Sequence, residues 1–243
     1  MRDAIIETDA MLRFDDAADS VLGADKALSG FVVAYGQAGR GKSVTADRHY
    51  VKNGGVYIRV WQGWSQSDFM QRLLFEVRGT NEEMPRHRGN RCKEMIVELL
   101  DRQYKATGKR RAIYVDEADR LHVDRIEDLR DIFEMTGVPP ILIGEEGIHG
   151  LMANRRRIWS RVAHEVEFGA IGAAEVALYG LQAADLDIPS TQCERIATRA
   201  EGDFRLVRNM MILLERAARA ADSETVDEKM VDRVFDARAW RRS

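Results

Sequence analysis

The stretch GQAGRGKS at residues 36–43 decides the fold class of this 243-residue chain. It matches the pattern G-x-x-x-x-G-K-[ST], whose glycines allow successive backbone N–H groups to point inward around a phosphate group. In this pattern Lys42 reaches the β- and γ-phosphates of a nucleotide, and the Ser43 hydroxyl is a ligand for Mg²⁺. The loop therefore predicts a site for ATP and Mg²⁺, and its candidate residues are Gly36, Ala38, Gly39, Arg40, Gly41, Lys42, Ser43 and Val44.

Short apolar runs of strand length lie on both sides of this loop and are separated by segments with helical periodicity. The five runs are FVVAY (31–35), VYIRVW (56–61), AIYVD (112–116), PILIG (140–144) and the weaker HEVEF (164–168). Strands that alternate with helices favour an α/β fold with a five-stranded parallel sheet flanked by helices. Beyond residue 172 only helical patterns remain, so we expect a nucleotide-binding core at 1–172 and a small all-helical lid at 173–243.

The run YVDEAD at 114–119 supplies the carboxylates that such a phosphate-binding loop requires. Asp116 ends the third predicted strand, so we expect it beside Ser43, where it would hold Mg²⁺ directly or through water. Glu117 would then orient and deprotonate an attacking water, which predicts an ATPase that forms ADP and phosphate. The alternative is that an acidic pair simply begins a loop before a helix.

Three features together resemble an AAA+ ATPase: GQAGRGKS, YVDEAD, and GDFR at 202–205 followed by a helical tail. Within that class, the small size, the overall layout and the VDEADRL run resemble the transposition ATPases typified by the phage Mu B protein family. The resemblance covers residues 5–240. It implies a P-loop AAA+ core with a C-terminal helical lid.

The resemblance also implies roles for residues outside the two motifs. Glu145 occupies the sensor-1 position, where the family usually has Asn, Thr or Ser; the alternative is a solvated loop carboxylate. Arg161 is the first candidate and Arg157 the second for an arginine finger that reaches a neighbouring subunit, although an exposed basic helix face explains these residues too. Arg205, or else Arg208, matches the sensor-2 arginine; the alternative is a surface arginine on a capped helix.

The net charge of −3, from 37 basic and 40 acidic residues, excludes a globally basic nucleic-acid binder. A local basic cluster nevertheless lies in PRHRGNRCK, which we expect to form a loop, and KATGKRR at 105–111 adds a second. The resembled family forms ATP-driven filaments around duplex DNA, with basic loops lining the channel. The candidate DNA-binding residues are Arg86, Arg88, Arg91 and Lys93; the alternative is a solvated charge run.

The remaining composition narrows the class of protein further. Two cysteines cannot build a disulfide framework, and the start of the chain has no apolar signal region, so we expect a reduced cytoplasmic protein. No run of eighteen apolar residues predicts a membrane span. The five histidines lack ligand spacing, so we expect no metal besides Mg²⁺. Trp61 is expected in the core, whereas for Trp64 the core and a stacking surface both remain open.

Three functions fit these patterns. The first is a DNA-binding AAA+ ATPase that assembles on target DNA, as a ring or a filament, and recruits or activates a transposase. The second is an ATPase of replication initiation or helicase loading; such proteins usually carry a winged-helix domain after the lid, for which the chain leaves no room. The third is an ATPase in signalling or secretion whose nucleotide state switches a protein interaction.

Overall fold

The five strands form one parallel sheet in the order β2-β3-β4-β1-β5. The computed structural model describes residues 1–2, 4–25, 30–79, 83–237 and 239–241. Its strands are β1 (Phe31–Tyr35), β2 (Val56–Arg59), β3 (Ile113–Asp116), β4 (Pro140–Gly144) and β5 (Val162–Glu167). The interior strands β3 and β4 are buried along their whole length. Strands of a parallel sheet are covered on both faces, so their residues are mostly β-branched or otherwise apolar. The predicted five-stranded parallel sheet is therefore confirmed.

Helices connect the strands and flank the sheet. They are α1 (Asp9–Gly23), α2 (Lys42–Asn53), α3 (Gln66–Arg78), α4 (Gly89–Thr107), α5 (Val123–Thr136), α6 (Gly147–Ala153) and α7 (Arg156–Trp159). Helix α3, for example, buries an apolar stripe that includes Phe69, Leu73 and Val77. A capping box formed by Ser65 and Asp68 starts α3, because each side chain accepts a backbone N–H that the helix leaves free.

The C-terminal region is helical, as the sequence predicts. It contains α8 (Ala173–Ala184), α9 (Ser190–Arg199), α10 (Phe204–Ala220) and α11 (Glu228–Ala237). Its own core is built from buried side chains of all four helices, among them Tyr179, Ile196, Met210, Leu214 and Val231. Of the helices within the described ranges, none is long and apolar enough to cross a membrane.

The chain divides into two units that are discontinuous in sequence. Ala10–Gly36 and Lys42–Glu167 form the α/β unit, whereas Met1–Asp9, Gln37–Gly41 and Phe168–Ser243 form the helical unit. The sequence predicts a single boundary after residue 172. A sequence pattern reports local periodicity, so it does not reveal that two N-terminal segments group with the C-terminal helices.

Two local predictions are wrong. Strand β2 ends at Arg59 and the following loop turns at Gly63 (φ 84°), so Trp61 is 66% exposed and does not belong to the core. The basic segment expected as a loop continues into a helix, because α4 begins at Gly89 and contains Arg91 and Lys93.

Candidate nucleotide-binding site

The phosphate-binding loop adopts a backbone that favours glycine. Gly36, Gly39 and Gly41 have φ values of 147°, 76° and 90°, which L side chains rarely adopt. Within the helical unit, the backbone N–H of Phe204 donates to the Gly39 carbonyl at 2.9 Å, and a Cβ on Gly39 would overlap the Asp203 carboxylate. The φ angle therefore favours glycine at position 39, and any larger residue would also force the Asp203 carboxylate to move.

Lys42 is the first residue of α2 and is buried. Its Nζ donates to the Gly36 carbonyl at 2.6 Å, which turns the amine back along the loop. Burial lowers the pKa of Lys42, and the nearby carboxylates of Glu145, Asp119 and Glu117 oppose that shift. The loop thus presents a desolvated cation at the position where the motif binds phosphate.

Asp116 lies at the carboxyl end of β3 and is 2% exposed. Its Oδ1 accepts a hydrogen bond from Ser43 Oγ at 2.9 Å and from the Glu117 backbone N–H at 3.1 Å. Its Oδ2 accepts from Arg59 Nε at 2.9 Å and from the Tyr57 hydroxyl at 3.2 Å. Three of these four donors come from α2 and β2, so the fold holds the carboxylate in one orientation.

Arg59 and Tyr57 are the site residues that sequence reasoning missed. Both lie on β2, which pairs with β3 in a register that places Arg59 opposite Asp116. The hydrogen bond and charge of Asp116 raise the pKa of the Arg59 guanidinium, while burial and Asp116 raise the pKa of the Tyr57 phenol well above its usual value. Both side chains therefore stay protonated and donate to Asp116. In the sequence, both residues lie inside the predicted strand 56–61, where nothing marks them as neighbours of Asp116.

The oxygen atoms of Ser43 and Asp116 fit a Mg²⁺ ion. Mg²⁺ prefers hard oxygen ligands and usually keeps several waters while it binds one or two protein groups and substrate phosphates. Ser43 Oγ and Asp116 Oδ1 lie 2.9 Å apart and form such a pair. In the described part of the chain, no group of three or more His, Cys, Asp or Glu side chains is arranged to hold a metal. The donor set suits a metal shared with a nucleotide.

The structure places two further carboxylates after the central strands. Glu117 adopts a left-handed backbone (φ 59°, ψ 37°), an uncommon conformation for a residue with a side chain, and its carboxylate pairs with Arg120 at 3.0 Å. Glu145 follows β4, and its backbone N–H donates to Asp119 Oδ1 at 2.9 Å. A Cβ on Gly144 would lie 2.6 Å from the same Asp119 oxygen, so this glycine permits the contact.

The two candidate arginines from the C-terminal half have carboxylate partners. Arg161 follows α7 and its guanidinium donates to Glu134 at 2.9 and 3.2 Å. Arg205 lies in the first turn of α10, where it pairs with the N-cap residue Asp203 at 3.2 Å. Both arginines are exposed, so solvent screens these ion pairs and leaves the guanidinium groups free to exchange partners.

The predicted basic cluster separates into two parts. Lys93 points toward α5, where Asp128 and Asp131 accept from its Nζ at 3.0 and 2.8 Å. Arg91 pairs with Glu94 on its own helix at 2.8 Å. Arg86 and Arg88 are exposed, and neither forms an ion pair with any residue inside the described ranges. The candidate DNA surface is therefore smaller than the sequence cluster.

The parallel sheet, the glycine loop and the Ser43–Asp116 pair together define a P-loop nucleotide-binding protein. Residues 26–152, just over half of the chain, match the family described as AAA domain. The chain belongs to this family of ATPases, and the predicted AAA class is confirmed.

Comparison with curated proteins adds an ATP-binding relative. A Staphylococcus aureus protein described as a potential ATP-binding protein is 27% identical over 133 residues, which are 51% of this chain and 49% of the relative. The chain thus spans about half the length of the curated relative that it matches.

Solved structures share the fold at low sequence identity. The ADP form of Aeropyrum pernix ORC2 has a TM-score of 0.66 and 13% identity, over 97% of this chain and 69% of ORC2. Aeropyrum pernix ORC1 in complex with DNA has a TM-score of 0.61 and 16% identity, over 94% of this chain and 64% of ORC1. The Thermotoga maritima RuvB Holliday junction branch migration motor has a TM-score of 0.56 and 16% identity, over 96% of this chain and 70% of RuvB. At these identities the likeness shows the fold alone.

Proposed function

We propose that the protein binds ATP with Mg²⁺ and hydrolyses it to ADP and phosphate. The hydrogen bond of 2.9 Å between Ser43 Oγ and Asp116 Oδ1 carries this proposal, because it brings oxygen ligands from two distant motifs to one point. Mg²⁺ bound there would supply positive charge against the β- and γ-phosphates. Lys42 adds a buried cation on the same phosphates, and the glycine loop adds backbone N–H donors.

Glu117 is the proposed general base. It directly follows Asp116, and its side chain is 32% exposed, so a water molecule can reach the carboxylate. The left-handed backbone at Glu117 ends the extended conformation of β3, so the Glu117 side chain does not continue the alternation of side chains along that strand. Glu145, directly after β4, is the proposed sensor that detects the state of the phosphates from the neighbouring strand.

A binding experiment tests this nucleotide site. Lys42→Ala is expected to abolish binding of a fluorescent ATP analogue, because it removes the buried cation and leaves the apolar core unchanged. The matched control is Lys52→Ala, which removes an exposed lysine from the last turn of the same helix. If Lys42→Ala folds, as judged by circular dichroism, and binds the analogue with wild-type affinity, the proposed site is wrong.

We propose further that ATP joins copies of the chain and that the assembly binds duplex DNA without sequence preference. Arg161 would leave Glu134 for the γ-phosphate of a neighbouring copy, whereas Arg205 would contact the phosphates bound to its own copy. The exposure of both guanidinium groups supports these roles. Arg86 and Arg88 support DNA binding, because they are exposed and have no ion-pair partner among the residues that the structure describes, so they neutralise phosphates at little cost.

The proposed biological role is target-DNA binding that recruits or activates a transposase. Its support is the VDEADRL run and the compact AAA layout. A role in replication initiation is the second candidate, and the fold likeness to the ORC1 protein solved with DNA favours it. A strand-transfer assay, in which this protein and ATP are added to a transposase and its DNA substrates, separates the two. ATP-dependent stimulation of transfer is expected, and no stimulation by a DNA-bound wild-type protein would favour the second candidate.

A further inference from the structure

A cavity of about 410 Å³ lies in the α/β unit between the end of β2, the loop that follows it, and α3. Trp61 and Trp64 both line its wall, with ring centroids 6.1 Å apart and an angle of 32° between the ring planes. Trp61 is the more exposed of the two, and Met84 adds a further apolar contact. Cavities of about 300–1,000 Å³ accommodate ligands the size of a nucleotide. The proposed ATP site uses neither tryptophan.

Cationic groups surround this aromatic wall. Arg59 and Arg72 line the cavity, and Gln71, also in its wall, donates to the His87 carbonyl at 2.7 Å. That bond holds the segment carrying Arg86 and Arg88 against α3 beside the cavity. Exposed aromatic rings next to guanidinium groups are the pattern by which proteins bind single nucleic-acid strands, because bases stack on the rings and phosphates pair with the cations.

The carboxylates in the same wall already have partners. Asp68 accepts from the Ser65 hydroxyl at 2.6 Å and from the Ser65 backbone N–H at 2.9 Å. Glu76 pairs with Arg72 at 2.7 Å. Their negative charge is therefore partly compensated, and an anion that enters the cavity meets the guanidinium of Arg59 on its inner side.

Arg59 connects this cavity with the metal-binding carboxylate. Its guanidinium lines the cavity and is 59% exposed, yet its Nε and Nη2 both donate to Asp116 Oδ2, at 2.9 and 2.8 Å. A divalent cation held by Asp116 and Ser43 would be repelled by this neighbouring positive charge. A phosphate in the cavity would attract the same guanidinium away from Asp116.

We propose that the cavity binds one nucleotide unit of a DNA strand, with its base on Trp61 and its phosphate on Arg59, and that Arg59 thereby links strand binding to Mg²⁺ affinity at Asp116. This inference rests on the proposed ATP binding, and it adds to the proposed duplex binding a contact that requires an unpaired base. Because linkage is reciprocal, the strand raises the affinity for Mg²⁺ by the same factor by which Mg²⁺ raises the affinity for the strand. Arg59 is a positioning residue here, since it acts on the metal through Asp116.

The first test detects stacking on Trp61. A thymidine oligonucleotide carrying one 2-aminopurine is titrated into the wild-type protein with ATP, and the analogue's fluorescence is expected to fall as its ring stacks. Trp61→Ala should abolish the quenching, Trp61→Phe should retain most of it, and the control Trp159→Phe should leave it unchanged. Unquenched fluorescence in a wild-type protein that binds the oligonucleotide overturns the proposal.

The second test measures the link through Arg59. The Mg²⁺ dependence of fluorescent ATP analogue binding is compared with and without the oligonucleotide. We expect the oligonucleotide to lower the half-saturating Mg²⁺ concentration of wild type by about fivefold or more. Arg59→Gln should need less Mg²⁺ without DNA and should show no further change with it. The control Arg102→Gln removes an exposed arginine of α4 that does not line the cavity, so it should keep the wild-type response.

The outcomes separate this inference from the function on which it rests. A wild-type protein that fails to bind the ATP analogue with Mg²⁺ refutes the proposed nucleotide site and, with it, the link. A protein that binds ATP and duplex DNA normally, but whose Mg²⁺ dependence ignores the oligonucleotide, refutes the link alone.

Discussion

Replacing Glu117 with Gln separates catalysis from stability at the proposed site. The amide keeps the size of the side chain and the left-handed backbone at this position, so the strain there is unchanged. The substitution removes the carboxylate that pairs with Arg120 at 3.0 Å. Because both partners are partly exposed, that ion pair contributes at most about 1 kcal/mol. In a chain of this length such a loss lowers the melting temperature by about 2–4 °C.

The expected effect on hydrolysis is far larger. Loss of a general base lowers kcat by about 10²–10⁴-fold. Affinity for ATP should stay near the wild-type value, because Lys42, Ser43 and Asp116 are untouched. The assays are phosphate release under saturating ATP, binding of a fluorescent ATP analogue, and thermal melting.

Arg120→Gln is the matched control for Glu117→Gln. It breaks the same ion pair and leaves the carboxylate in place, so its turnover should remain within a fewfold of wild type. Hydrolysis by Glu117→Gln at the wild-type rate would refute the role of Glu117 and move the base to another carboxylate, with Glu145 as the next candidate. An equal loss in both variants would show that the ion pair, and not the base, matters.

Two further predictions concern assembly and DNA. Arg161→Ala should lower turnover about a thousandfold, and mixing it with Lys42→Ala should restore part of the activity, since one intact shared site forms at their interface. A mixture that assembles yet stays inactive excludes Arg161 as the finger. Replacing Arg86 and Arg88 with Ala should weaken binding to all duplex sequences alike and flatten the log–log salt dependence by about 0.9 per lost phosphate contact. The control Arg91→Ala should change the slope less, because Glu94 already neutralises that residue, and equal slopes for wild type and the double variant would exclude this surface.

Much of the nucleotide site followed from the sequence because its determinants are local. A glycine-rich loop between an apolar strand and a helix has few conformations that leave its N–H groups free for a phosphate, so residues 36–43 predicted a phosphate-binding loop between a strand and a helix. The contact between Ser43 and Asp116 could also be predicted from the sequence, because the carboxyl ends of parallel strands meet at one edge of a sheet. The five strands were visible in the sequence as short apolar runs, because strands of a parallel sheet are buried on both faces.

The tertiary structure alone decided which side chains surround Asp116 and which charges stay free. Arg59 and Tyr57 reach that carboxylate only because β2 pairs with β3, and strand order depends on long-range packing that no local pattern encodes. Lys93 belongs to a basic run in sequence, yet α4 packs near α5 and two carboxylates there take its charge. Trp61 sits next to a strand in sequence, but β2 ends two residues earlier and the loop turns the ring into solvent. The partners of Asp116 and Lys93 are distant along the chain, so their charge pairing was settled by folding and not by neighbouring residues.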